Sequence, residues 1–518
     1  MASLYPKKVN GKTYWYLREM ARVNGRPKMV SERYLGAAAD IAAAVEGSQA
    51  AMVPERTRHL AFGDVAAVWA TMARVDVVAI IDDVTGGRVP GAGASVGTYL
   101  ALAALNRVVE PRSKVGIATW WKTTAGDRFT KIGASVLDHR RFWDAMHAVT
   151  LDQLAEIEAR ITVAMIETFD LDTSALALDM TNFATYIDTA NDKAPIAQRG
   201  KAKQKRSDLR LVGLGLVVTR DGGIPLVSHA YPGNRPDVTQ FATVIDKLTD
   251  GYQRLAQRAS RHTAADSDTV AVAVAEVSVV FDAGQNSAAN FAHLLASGLH
   301  YVGSVPPSDH VDLLALPASA RTPVDDERFP GLSAVETRRT IYGLDQRVLL
   351  THSPTLHDKQ VRGLDQTLAK AGARLDELAA TLARGATRRD RYQVENEITG
   401  ICRDTWVRRV LDWDLTGNTP AEHRLTWRVN TRARKQLETE VFGKRILITD
   451  HDHWTAADVV AGYRSQSDAE FGFRQLKDPH AVSFSPMHHW TDHNIRVHTY
   501  TCVPVSYTHL TLPTIYSV

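Results

Sequence analysis

Two aspartates stand where a carboxylate is costly. Asp179 closes the apolar run 176–178, and Asp282 closes the run 279–281. A carboxylate at the end of a buried strand needs a cation, a hydrogen-bond donor or a metal beside it. One such Asp reads as a cap or turn acid. Two, on strands expected to be neighbours, point to a divalent cation, and hard oxygen ligands favour Mg2+ or Mn2+. A third acid, Glu470, lies in the segment ADVVAGYRSQSDAEFGFRQLKDP. There Tyr463, Glu470 and Lys477 are spaced by seven. On one helix two turns return to nearly the same face, lining up a hydroxyl, a carboxylate and an ammonium. The plain alternative is a surface helix on which Glu470 pairs with Arg474 at i,i+4.

The elements that must hold these groups follow from the pattern. Residues 1–36 read as short strands around the turn Asn24-Gly25, with a helix to follow. The run VDVVAIIDDV reads as a strand, and TGGRVPGAGASVG as a loop that lacks the Gly-Lys-Ser/Thr of a phosphate loop. Residues 98–170 read as several short helices with Trp and basic residues between them, which suits a helical DNA-binding unit or an ordinary bundle. From 174 to 305 the order is three strands with a hairpin, a helix, a strand, a helix and a strand. That predicts an α/β fold with a mixed sheet of RNase H-like order. Residues 306–440 interrupt it with two strands and a leucine-rich helix, and the theme resumes at KRILITD. The expected divisions are 1–60, a β-rich segment with a linker helix; 61–170, the helical DNA-binding region; 171–305 and 441–503, the two parts of the core; 306–440, the insertion; and 504–518, a tail.

Length agrees with several units, since 518 residues exceed the roughly 100–200 of one domain. Two cysteines, Cys402 and Cys502, exclude a disulfide scaffold and a Cys-rich zinc site, and cytoplasmic residence is expected. No stretch is apolar enough to span a bilayer, so no membrane is expected as a partner. Net charge is only +3, but it is unevenly spread. Segments 1–36, 107–141 and 199–210 carry eight, eight and six Lys/Arg against two, three and one acids. Basic blocks in a near-neutral chain suit a polyanion such as nucleic acid.

With these residues in place, a family resemblance emerges. Asp179, Asp282 and Glu470 resemble the acidic triad of bacterial insertion-sequence DDE transposases. The segment with Tyr463, Glu470 and Lys477 is similar to the Tyr-Arg-Glu-Lys signature of one large group of them, although Gln466 occupies the Arg position and Arg464 stands two residues earlier. NRVVEPRSKVGIATWW, VVFDAGQNSAANF, Pro232-Gly233-Asn234 and FGKRILITD also resemble that group, as do the gaps of 103 and 188 residues between the acids. The resemblance implies two Mg2+ ions, replaceable by Mn2+, held by Asp179, Asp282 and Glu470. It implies DNA contacts from Tyr463, Arg464, Arg474 and Lys477. It implies cleavage and strand transfer on double-stranded DNA, at terminal inverted repeats and at a target, by a bacterial protein that is a homodimer on DNA and associates with the nucleoid. A nuclease that does not join strands, and a DNA-binding protein with a dead site, are the competing expectations. Beyond His498 no charged residue occurs, and Pro504 and Pro513 interrupt the sequence. Residues 504–518 are therefore expected to be a non-native tail on a truncated chain, outside any helix.

Overall fold

The computed structural model describes residues 2–23, 25–50, 58–87, 91–203, 208–220, 222–263, 277–386, 388–478, 484 and 487–511. The chain divides into two compact units, Met1–Ala61 and Phe62–Val518. In the first, β1 (Ala2–Val9), β2 (Lys12–Val23) and β3 (Arg26–Ala37) form an antiparallel meander followed by a helix, Ala38–Ala50. Its faces bury little, and cross-strand pairs hold it. Arg18 meets Glu32 at 2.6 Å and lies 3.4 Å above the Tyr5 ring. Gly36, at φ 95°, turns the chain so that Asp40 caps the Ala37 amide at 2.8 Å.

The second unit is mixed α/β, with one large mixed sheet. Its strands are β4 (Ala175–Thr185), β5 (Arg210–Thr219), β6 (Pro225–Pro232), β7 (Ser278–Phe281), β8 (His300–Val305), β9 (Thr322–Pro323), β10 (Ser333–Ile341), β11 (Leu344–His352) and β14 (Lys444–Thr449). They lie in the order β6-β5-β4-β7-β8-β14-β11-β10-β9. β7 is parallel to β4 and β8, and the other pairs are antiparallel. Strands 333–352, read from sequence as part of the insertion, are thus members of the main sheet. Only the chain between β11 and β14 stands on a core of its own. There the helix Pro354–Ala383 packs its leucines on a small sheet of β12 (Leu411–Thr416) and β13 (Arg424–Val429).

Strand alternation divides the main core. Leu176, Leu178 and Met180 of β4 face the helices Phe241–Thr263 and Ala288–Ala296. Ala177 and Phe183 face the opposite layer, made of the helices from 63 to 169, the helix Gln466–Lys477 and the last helix, Asp492–Thr511. Trp120 and Trp121, expected between the DNA-binding helices, are buried in that layer, and Trp121 donates to the Ile132 carbonyl at 2.8 Å.

Two sequence expectations are overturned here. The run 77–85 is a helix, Val77–Thr85, closed by Gly86 at φ 76°. Its apolar side packs on the helix Val96–Val109, and Asp82 accepts the Gly97 amide at 2.7 Å. β-branched content suggested a strand, but tertiary burial on one helical face decides it. The last helix also runs through Pro504 to Thr511, where a break was expected. Proline removes one helical donor, but Ile495, Val497, Cys502 and Val503 are buried before it and fix the axis. Residues 512–518, with Pro513, lie outside the described residues.

The crossing of helices Val77–Thr85 and Val96–Val109 depends on the absence of a side chain at Gly97. A Cβ there would lie 2.4 Å from the Val78 carbonyl oxygen. Gly97→Ala is expected to destabilise the second unit by about 1–3 kcal/mol, as overpacking against backbone does. A denaturation midpoint equal to wild type would refute this close approach.

Candidate active site

Asp179 was expected at a strand end, yet it sits midway along β4. The reason lies in the neighbour. β4 pairs with β7 only as far as Leu178 opposite Phe281, and then β7 stops while β4 continues against β5. Asp179 is therefore the first β4 residue past the parallel pairing, and Asp282 is the first residue after β7. The two acids occupy register-adjacent positions where the sheet opens beside a parallel strand end, a common place for a site in α/β proteins.

Each carboxylate is partly held by the chain. Asp179 Oδ1 accepts the Met180 amide at 2.7 Å. Asp282 Oδ1 accepts the Ala283 amide at 2.7 Å and the Ser304 hydroxyl at 3.3 Å. Burial pushes the Asp179 carboxyl up to about 6. The Met180 amide and Lys203 oppose that rise, and the charges of Asp282 and Asp237 add to it.

The helix bearing Glu470 covers this face. Ala469, Phe473 and Leu476 of Gln466–Lys477 are buried against β4 and β5, while Glu470 is exposed beside them. Lys477, on the same helix as Glu470, donates to Thr181 Oγ1 at 2.7 Å. Thr181 lies two residues beyond Asp179 and so on the same face. Burial lowers the Lys477 ammonium, Lys203 adds to that, and Asp179 opposes it.

Tyr463 is not on that helix. The chain breaks at Ser465 into Ala456–Arg464 and Gln466–Lys477, so the single row expected for Tyr463, Glu470 and Lys477 does not exist. Ser465 donates to the Gly462 carbonyl at 2.6 Å, a side-chain bond to the preceding turn of the kind that bends helices. Tyr463 instead points into the sheet. It is buried, its hydroxyl donates to Ser304 Oγ at 3.0 Å, and Ser304 passes the contact on to Asp282. Burial raises the phenol, Arg445 and the Ser304 hydrogen bond oppose the rise, and the charges of Asp282 and Glu470 add to it. Arg464 is exposed and stacks at 4.5 Å on Phe329, while Arg474 stays exposed near Phe471.

Other residues were not foreseen. Lys203 meets Asp237 at 3.3 Å and donates to the Met180 carbonyl. Asp237 accepts the Tyr231 hydroxyl at 2.7 Å. The Tyr231 ring lies over Gly213, where a Cβ would come within 2.2 Å of it. Spacing held no signal for Ser304. Asp237 could have been found as the acid that follows Pro232-Gly233-Asn234. Of the basic segment 199–210, residues 204–207 lie outside the described residues. Arg210 turns inward to the carbonyls of Ala197, Asn191 and Ala194 at 2.6, 2.6 and 3.1 Å. Lys114, in the second basic segment, is also buried, and burial lowers it to about 8.

Comparison with protein-family models and with curated proteins gives no match. Among the described residues no helix is long and apolar enough to cross a membrane.

The raised Asp179 carboxyl sets a pH dependence. Its acid form is favoured by the fold, so its contribution is intact below the unfolded pKa near 3.8 and is lost as pH rises through about 6. In metal-free buffer at pH 7.5, Asp179→Asn should stabilise the protein by about 1–3 kcal/mol, and the gain should vanish near pH 4. Identical melting temperatures for mutant and wild type at pH 7.5 would show that Asp179 is not strained by burial.

Proposed function

We propose that this chain is a DDE-type transposase that cleaves and joins DNA at the ends of an insertion sequence. The observation that carries the reading is the placement of Asp179 and Asp282 at adjacent register positions of parallel strands, with the helix of Glu470 laid over the same face. The strand order β6-β5-β4-β7-β8, with β5 antiparallel to β4 and β6 and the rest of that group parallel, supports an RNase H-like core.

The donor set fits hard divalent ions. Two carboxylates and a third acid supply oxygen only, and the Asp179 carboxyl is raised partly by Asp282 itself, a repulsion that a cation would relieve. Asp179, Asp282 and Glu470 would hold Mg2+, or Mn2+ in its place. Two such ions, when bound, supply Lewis-acid activation of the attacking oxygen and stabilisation of the leaving one.

The chain's own groups do the positioning. Ser304, held by Tyr463, fixes the Asp282 carboxylate on one side while the Ala283 amide fixes it on the other. Lys477 brings positive charge to the Asp179 face, where a DNA phosphate would approach. Its role there is to position backbone rather than to read bases. Arg464 and Arg474 are exposed on the two halves of the broken helix and would add sequence-independent affinity. Transposition also requires two ends to be held together, so a homodimer on double-stranded DNA belongs to this reading, as does association with a bacterial nucleoid.

The test uses DNA carrying the sequence that flanks the open reading frame. Wild type should nick it in Mg2+ and join the freed 3′ end to a target, whereas Asp179→Asn and Glu470→Gln should bind the DNA but lose cleavage by about 100-fold or more. Cleavage without joined product would make the protein a nuclease. Wild-type cleavage by both mutants would remove the acids from the chemistry. Lys477→Ala should flatten the dependence of log affinity on log salt by about one unit. An unchanged slope with a lower melting temperature would make Lys477 structural.

A further inference from the structure

At the opposite end of β7 from the acids, three metal-binding side chains converge. His300 opens β8, and Asp450 and His451 follow the last residue of β14, which pairs antiparallel with β8. One donor atom of each lies within 4.8 Å of the donors of the other two. His300 Nδ1 is 2.9 Å from Asp450 Oδ2, and His451 Nε2 is 2.6 Å from Ser278 Oγ. The two imidazole rings are 4.4 Å apart.

We propose that His300, Asp450 and His451 bind one borderline divalent transition ion, of which Zn2+ is the simplest, at a site separate from Asp179 and Asp282. Metal–ligand bonds of about 2.0–2.2 Å bring tetrahedral donors within roughly 3–3.5 Å of one another, so the present spacing needs only a small contraction. Two imidazole nitrogens with one carboxylate select Zn2+ and its neighbours, whereas the all-oxygen acids select Mg2+. Ser278 Oγ or water would complete the shell.

The surroundings hold these donors as outer partners hold metal ligands. The Tyr301 amide donates to Asp450 Oδ1 at 2.9 Å, which leaves Oδ2 turned to His300. The His451 ring stacks on Trp454 at 3.9 Å and 8°. Its backbone is pinned by Arg347, which donates to the His451 and Trp454 carbonyls at 3.0 and 2.6 Å, and by its own amide on Thr449 Oγ1 at 3.1 Å. An ion pair explains His300 and Asp450, but it does not explain a third ring fixed so firmly against them. The sequence carried a trace of this in Asp450-His451-Asp452-His453. Asp452 pairs outward with Arg338 at 2.6 Å, leaving the first two residues of the run for the ion.

The inference stands whether or not the protein moves DNA, and the experiment keeps the two apart. The full chain carrying Asp179→Asn and Asp282→Asn is titrated with Zn2+ by calorimetry in buffer containing excess Mg2+. One Zn2+ per chain is expected. Adding His300→Gln or His451→Gln should weaken binding by about 100-fold or more. The same variants should lose the visible absorption bands of bound Co2+, while their metal-free melting temperatures report on folding. His300, partly exposed at the start of β8, keeps the test open if His451→Gln unfolds. Absence of stoichiometric Zn2+ binding, or binding that survives both substitutions, overturns the site.

Discussion

The second unit is organised around a mismatch in strand length. β7 has four residues and β4 has eleven, so the sheet is forced open on one side of β4 just beyond Leu178. That opening turns what would be a sealed sheet interior into a place where two carboxylates can share a space. Neither strand could hold a charged residue there if its neighbour continued, because an ion in a fully paired and covered sheet has neither water nor a partner. The helix Gln466–Lys477 then closes the face with Ala469, Phe473 and Leu476 and leaves Glu470 at its edge. Burial of the Asp179 carboxylate works against folding, and the charge of Asp282 adds to that cost.

The break at Ser465 matters as much as the strands. It divides the labour of one stretch of sequence between two directions. Tyr463 goes into the sheet to brace Ser304 and Asp282, while Glu470 and Lys477 stay on the covering helix. A straight helix would have kept all three in a row and left Asp282 without its hydroxyl chain.

How much was legible in the sequence depended on whether the signal was local. The α/β class and the strands around Asp179 and Asp282 were legible from their apolar runs and the hairpin turn at Gly222-Gly223. The joining of Asp179 to the end of β7 was not, because it depends on where a neighbouring strand stops. The helix Val77–Thr85 was hidden by Val and Ile, whose preference for strands yielded to packing. The break at Ser465 carries no Gly or Pro, so spacing alone ran the helix straight through. Trp120, Trp121, Lys114 and Arg210 looked like surface chemistry in a basic stretch and proved to be interior, since composition does not say which way a side chain points. The last helix was misjudged for the opposite reason, because Pro504 was weighed without the buried residues before it.

The lobe between β11 and β14 leaves and rejoins the sheet at a single point. His352 and Lys444 are register partners, and the Ser353 amide donates to the Gly443 carbonyl at 2.8 Å. The two strands would therefore meet as an ordinary hairpin if everything from 354 to 442 were replaced by a short turn. Loop-closure entropy rises only slowly with length, so an excursion of this size places little burden on the pairing beneath it. The lobe is in effect a side branch on an intact hairpin. Its surface can diverge, lengthen or be exchanged over generations while β11 and β14 keep their register beneath it.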